Sequence, residues 1–110
     1  MESIKQMNNE IILTMTGRIV RDFHPMQIIL FGSHARGDAH PQSDVDLLVV
    51  FSELADKRKT AVDIRRALAD LPMAKDILVT TPEELARQSD QVGTILRAAQ
   101  REGEILYERN

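Results

Sequence analysis

Ile4, Met7, Ile11, Met15 and Ile19 recur every three or four positions along the first part of the chain. That spacing places them on one side of a helix and predicts an amphipathic helix over residues 3–22. A Met and Ile stripe of this period is core material. His24-Pro25 ends the helix, because proline disfavours helical backbone in the residue before it. The pattern then changes to short unbroken apolar runs, Ile28-Ile29-Leu30-Phe31 and Leu47-Leu48-Val49-Val50-Phe51. These read as buried strands over 27–31 and 45–51. Residues 32–43, with Gly37, Pro41 and several Asp, Ser and His, read as a polar loop. A helix is predicted over 53–70, capped by Ser52 and stopped by Pro72, with Ala61, Ile64, Leu68 and Leu71 inward. Asp76-Ile77-Leu78-Val79-Thr80 is a third strand. Thr81-Pro82-Glu83-Glu84 reads as a helix start, with Thr as N-cap, Pro in the first turn and Glu closing a capping box. That structural role makes Glu83 and Glu84 poor catalytic candidates. A last helix is predicted over 91–102, with Val92, Ile95, Leu96 and Ala99 inward and Gly103 as its stop. Ile105-Leu106-Tyr107 follows as a short extended tail that packs back.

Strands mixed with helices in 110 residues give an α/β (α+β) class and one domain over 1–110. With 43% apolar and 28% charged residues the composition is globular. The absence of cysteine excludes disulfides and thiolate metal sites and fits a reducing, cytoplasmic setting. No apolar run approaches the roughly 20 residues of a membrane span, and no signal peptide is visible. A net charge of −3 does not describe a broad basic face for a long nucleic acid, whereas a small nucleotide with metal needs none.

The candidate chemistry lies at the strand ends. Asp44 and Asp46 stand two residues apart at the head of the second strand, so they project to one face. Adjacent carboxylates repel unless a proton or cation sits between them. A hard divalent cation such as Mg2+ suits them, since it takes carboxylate oxygens and keeps places for water and phosphate. Gly32-Ser33 closes the first strand. A glycine there lets the backbone approach a ligand or take positive φ, and the next residue offers a hydroxyl and an N–H suited to phosphate oxygens.

The stretch from Ile29-Leu30-Phe31-Gly32-Ser33-His34-Ala35-Arg36-Gly37-Asp38 to Ser43-Asp44-Val45-Asp46-Leu47-Leu48-Val49 resembles the nucleotidyltransferase superfamily that includes DNA polymerase beta. The pattern is Gly-Ser, a spacer of ten, then Asp-x-Asp. Ala35-Arg36-Gly37, the short length, and Asp76-Ile77-Leu78-Val79-Thr80-Thr81-Pro82-Glu83-Glu84-Leu85 are similar to its minimal nucleotidyltransferase (MNT) members. The resemblance implies a nucleotidyltransferase fold, a small mixed sheet of three or more strands with about four helices. It also implies transfer of a nucleoside monophosphate, AMP by analogy, from ATP or another NTP to an acceptor. Two Mg2+ (or Mn2+) ions roughly 4 Å apart assist such transfers. Asp44 and Asp46 would bind both ions. Gly32 and Ser33 would grip phosphates. The sequence leaves the strand order open, so completion of the site by Asp76 is likewise what the resemblance implies.

So short a chain leaves little material for an acceptor pocket. The acceptor site must come from another subunit or from a substrate protein. The resemblance implies such a partner, a HEPN-domain toxin whose tyrosine receives AMP, with this chain as antitoxin. One alternative is a binding module with a vestigial site that neutralises its partner by occlusion. The intact Gly-Ser and acids favour catalysis. Another alternative, a small-molecule adenylyltransferase, suffers from the missing second domain. Arg36 can meet a phosphate bidentately or pair with Asp38. His34 and His40 lack a second histidine at zinc-ligand spacing. Lys57-Arg58-Lys59 and Arg65-Arg66 form either a solvated helix face or a docking surface for an acidic partner.

Overall fold

The computed structural model describes residues 4–37, 44–88 and 103–109, and of residues 4–8 and 88 the backbone alone. Helix α1 spans Ile4–Phe23. Met15 and Ile19 are fully buried, and Ile12, outside the expected stripe, joins them in the core. The side chains of Ile4 and Met7 lie outside the described residues. The helix stops where His24 turns left-handed at φ +53° ahead of Pro25.

Strands β1 (Gln27–Phe31) and β2 (Val45–Val50) pair antiparallel. Strand β3 (Lys75–Thr80) joins β2 in parallel. The expected tail is a true strand, β4 (Glu104–Glu108), which pairs antiparallel with β1 through a bulge at Ile28 and Ile29. The sheet order is β3-β2-β1-β4. Strand pleating sorts the apolar residues onto two faces. Ile28, Leu30, Val45, Leu47, Val49, Ile77 and Val79 form one core with residues of α1 and of helix α3 (Lys57–Ala67). Side chains buried this completely each contribute on the order of 2 kcal/mol. The other face carries Ile29, Leu48 and Val50, with Leu85 of helix α4 (Pro82–Gln88) against them.

Two expectations are corrected. The segment 32–43 is not loop throughout, since Ser33–Arg36 forms a one-turn helix, α2, directly after β1. Residues 38–43, with Asp38 and His40, lie outside the described residues, as does the helix expected over 91–102. Helix α3 begins later than the predicted residue 53 and ends earlier than 70. Its N-cap is Asp56, not Ser52, because the Asp56 carboxylate accepts from the Lys59 amide at 3.0 Å. Leu54 packs on the core ahead of that cap, so the chain crosses the sheet end as irregular backbone. At the other end Lys75 Nζ donates to the carbonyls of Leu68 (2.7 Å) and Leu71 (3.2 Å), which closes the chain before Pro72 is reached. Arg18 of α1 meets the Asp70 carboxylate, just past α3, with Nη1 and Nη2, and its Nη1 also donates to the Ala67 carbonyl at 3.0 Å, which ties the two helices together. The cap of α4 is as expected, with the Glu84 amide donating to Thr81 Oγ1 at 3.2 Å. Among the described residues no helix is long and apolar enough to cross a membrane.

Candidate active site

Strand register decides what meets at the mouth of the sheet. Phe31, the last residue of β1, stands opposite Asp46, and Asp46 stands beside Asp76 in the parallel pair. Register neighbours share a face, and residues two apart in a strand share it again. Asp44, Asp46 and Asp76 therefore line one end of the α4-covered face. Asp44 and Asp76 are exposed and Asp46 is half-buried.

Gly32 follows Phe31 and sits against the Asp46 carboxylate. Its backbone, at φ +75° and ψ −155°, lies in a region that only glycine occupies readily. A Cβ here would run into the Asp46 carboxylate. The same turn launches α2, and the amides of Ala35 and Arg36 both donate to the Gly32 carbonyl at 3.1 Å. Ser33 opens that helix. Arg36 lies exposed in its last residue, and Gly37 closes it in left-handed conformation at φ +82°.

Burial pushes the Asp46 carboxyl above the usual carboxylate range, and the charges of Asp76 and then Asp44 push it the same way. His34 and Arg36 of α2 pull it back less strongly. Two of the site's acids thus bear electrostatically on the third. All donors offered here are carboxylate oxygens, the hard ligand set that Mg2+ or Mn2+ accepts. Among the described residues no three acidic or imidazole side chains close into a metal-ligand cluster. Asp76 instead reaches Arg65 of α3, at 3.7 Å.

Arg65 is the neighbour that sequence reading missed. It belongs to a basic helix face, and no spacing rule links it to an acid beyond the α3–β3 turn. Glu84 is occupied elsewhere, bound to Lys57 Nζ at 2.5 Å.

The raised Asp46 value carries a pH dependence. The folded chain holds that proton more tightly than the unfolded chain does. The stability this gives is complete below the ordinary value of about 3.9 and is lost as pH rises through the folded value. Urea melts of the metal-free protein between about pH 4 and pH 7 should show this loss relative to Asp46→Asn. Parallel stability curves for the two proteins would mean that neither burial nor the neighbouring acids raise the Asp46 carboxyl.

Residues 16–107 match the family model described as a nucleotidyltransferase domain. A comparison with curated proteins returns no match. Among solved structures, the chain is similar to a candidate nucleotidyltransferase from Sulfolobus solfataricus, with a TM-score of 0.66 at 18% identity, over 96% of this chain and 85% of that one. It is also similar to a toxin–antitoxin structure with AMP-PNP (TM-score 0.57, 23% identity, 89% and 74% covered). A toxin–antitoxin MntA-HpeT mutant carrying two Asp-to-Glu substitutions gives a TM-score of 0.56 at 19% identity, again over 89% and 74%. These likenesses establish the shared fold, and the match over residues 16–107 establishes that this chain belongs to the nucleotidyltransferase domain family.

Proposed function

We propose that the protein transfers AMP from ATP to a hydroxyl, a tyrosine of a HEPN-type partner toxin, and so acts as an antitoxin. The observation that carries this reading is the register Phe31–Asp46–Asp76, which stands two carboxylates side by side, with Asp46 against Gly32. Support for the partner comes from the likeness to toxin–antitoxin structures, one of them with AMP-PNP.

Asp44 and Asp46 would hold divalent metal on the nucleotide side, and Asp76 on the acceptor side. When bound, the metal neutralises the triphosphate and favours the ionised acceptor. The Gly32 turn lets the backbone come close to the terminal phosphates, and Ser33 supplies a hydroxyl and the first amide of α2. Arg36, at the end of that turn of helix, adds a guanidinium on the phosphate side. Asp76 takes the acceptor's proton at its carboxylate, directly or through a water. The acceptor oxygen bonds to the α-phosphorus as the bond to the bridging oxygen breaks, and pyrophosphate leaves.

The test incubates the purified protein with α-labelled NTPs, Mg2+ and the product of the neighbouring gene. Label should pass to the partner, from ATP above the other nucleotides, and EDTA should stop it. Failure to label any protein, with ATP affinity unchanged by EDTA, would overturn the proposal. Neutralisation of the partner without labelling would favour occlusion instead.

A further inference from the structure

Helix α3 is strongly basic in an acidic chain. The net charge is −3, yet Lys57–Ala67 carries Lys57, Arg58, Lys59, Arg65 and Arg66 against Asp63 alone. Lys59 is engaged with Asp63 at 2.9 Å along the helix. Lys57, Arg58, Ala61, Val62 and Arg65 fall on one side, at the spacing of a helical stripe. That stripe and strand β3 enclose a groove of about 480 Å³. Its rim is Lys57, Arg58 and Arg65, and its floor is aliphatic, with Ala61, Val62 and Leu78 half-buried.

The groove borders the candidate active site. Ile77 and Leu78, which line it, directly follow Asp76. Arg65, on its rim, stands 3.7 Å from the Asp76 carboxylate. The rim also takes a carboxylate from within the chain, since Lys57 binds Glu84 of α4.

We propose that this groove docks an acidic, extended segment of the acceptor protein and leads its hydroxyl to Asp76; the acceptor role rests on the function proposed above. Carboxylates of the segment meet the basic rim, and its small apolar side chains lie on the aliphatic floor. Opposite charge over an apolar floor supplies both steering and desolvated contact. A single-stranded nucleic acid is the poorer fit. Among the described residues no aromatic side chain lines the groove to stack on bases. Three rim cations also give few phosphate contacts.

Fluorescence anisotropy tests the dock with three labelled probes. These are a short peptide alternating Glu with Leu and Ala around one Tyr, the same peptide with Gln for Glu, and an oligothymidylate. The acidic peptide should bind best. Arg58→Glu, an exposed substitution, should weaken it by roughly fivefold to tenfold. In the presence of Mg2+ and labelled ATP, the tyrosine of the acidic peptide should be labelled faster than that of the Gln peptide. Equal affinity for the two peptides, or tighter binding of the oligothymidylate, overturns the dock. Preferred binding of the acidic peptide without preferred labelling overturns its link to the acceptor. Calorimetry with Mg2+ and ATP on the same samples separates the two levels. If ATP binds and the acidic peptide does not, the groove proposal alone fails. If ATP does not bind, the reading of the catalytic site fails, whatever the peptide does.

Discussion

Asp44→Asn and Asp46→Asn are each expected to lower nucleotide transfer by about 100-fold or more while leaving the fold intact. The expectation rests on where the two side chains stand. Asp44 is exposed just ahead of β2 and contributes no packing. Asp46 is half-buried but faces Asp76 and Asp44, and its ionised form is disfavoured there. An amide at either place removes a charge proposed to hold metal and costs the resting protein nothing in its core. Single-turnover transfer beside thermal melts checks both halves. Activity should collapse, and the melting temperature of Asp46→Asn should equal or exceed that of the unsubstituted protein near neutral pH. Retention of more than about a tenth of the transfer rate by either variant would remove the pair from the chemistry.

Gly32→Ala is expected to be the most damaging small substitution. Two separate penalties meet at this position. The backbone at φ +75° and ψ −155° costs a residue with a Cβ about 1–3 kcal/mol. The added methyl also presses on the Asp46 carboxylate, so either that side chain turns away or the β1–α2 turn opens. Stability should fall by about 2 kcal/mol or more, and transfer should fall with it. A double-mutant cycle with Asp46→Ala separates the penalties. Removing the carboxylate should restore the part due to the clash and leave the part due to the backbone. Strict additivity would show that the methyl never meets Asp46.

Much of this arrangement is legible before any coordinates. The strands at 27–31 and 45–51 are apolar runs with little else to become, and they stand within a residue of β1 and β2. The Gly-Ser turn and the Asp pair announce themselves by residue type and spacing. What pattern alone does not carry is the parallel pairing of β2 with β3. That pairing brings Asp76 beside Asp46, and it depends on long-range packing that no local spacing encodes. Helix α2 is hidden for the opposite reason. One turn is too short for periodicity, and Ser33, His34 and Arg36 are as common in loops as in helices. The misplaced start of α3 follows from two competing caps, Ser52 and Asp56. Packing of Leu54 decides for the second. The contact from Arg65 to Asp76 joins two exposed side chains and leaves no trace in hydrophobic pattern.

The parallel pairing of β2 with β3 has a consequence for which substitutions are dangerous. Side chains alternate along a strand, so a slip of β3 by a single residue would carry Asp76 through the sheet to the side covered by α1 and α3. Nothing about an aspartate prevents that slip. Alignment is held by Ile77 and Val79, buried in the larger core, and by Leu78, packed on the opposite side. The aliphatic residues of β3 thus work as the vernier that sets Asp76 beside Asp46. Making Ile77 polar while Leu78 stays apolar would favour that slip and mis-set the chemistry as surely as deleting a carboxylate, with every acid still present in the chain.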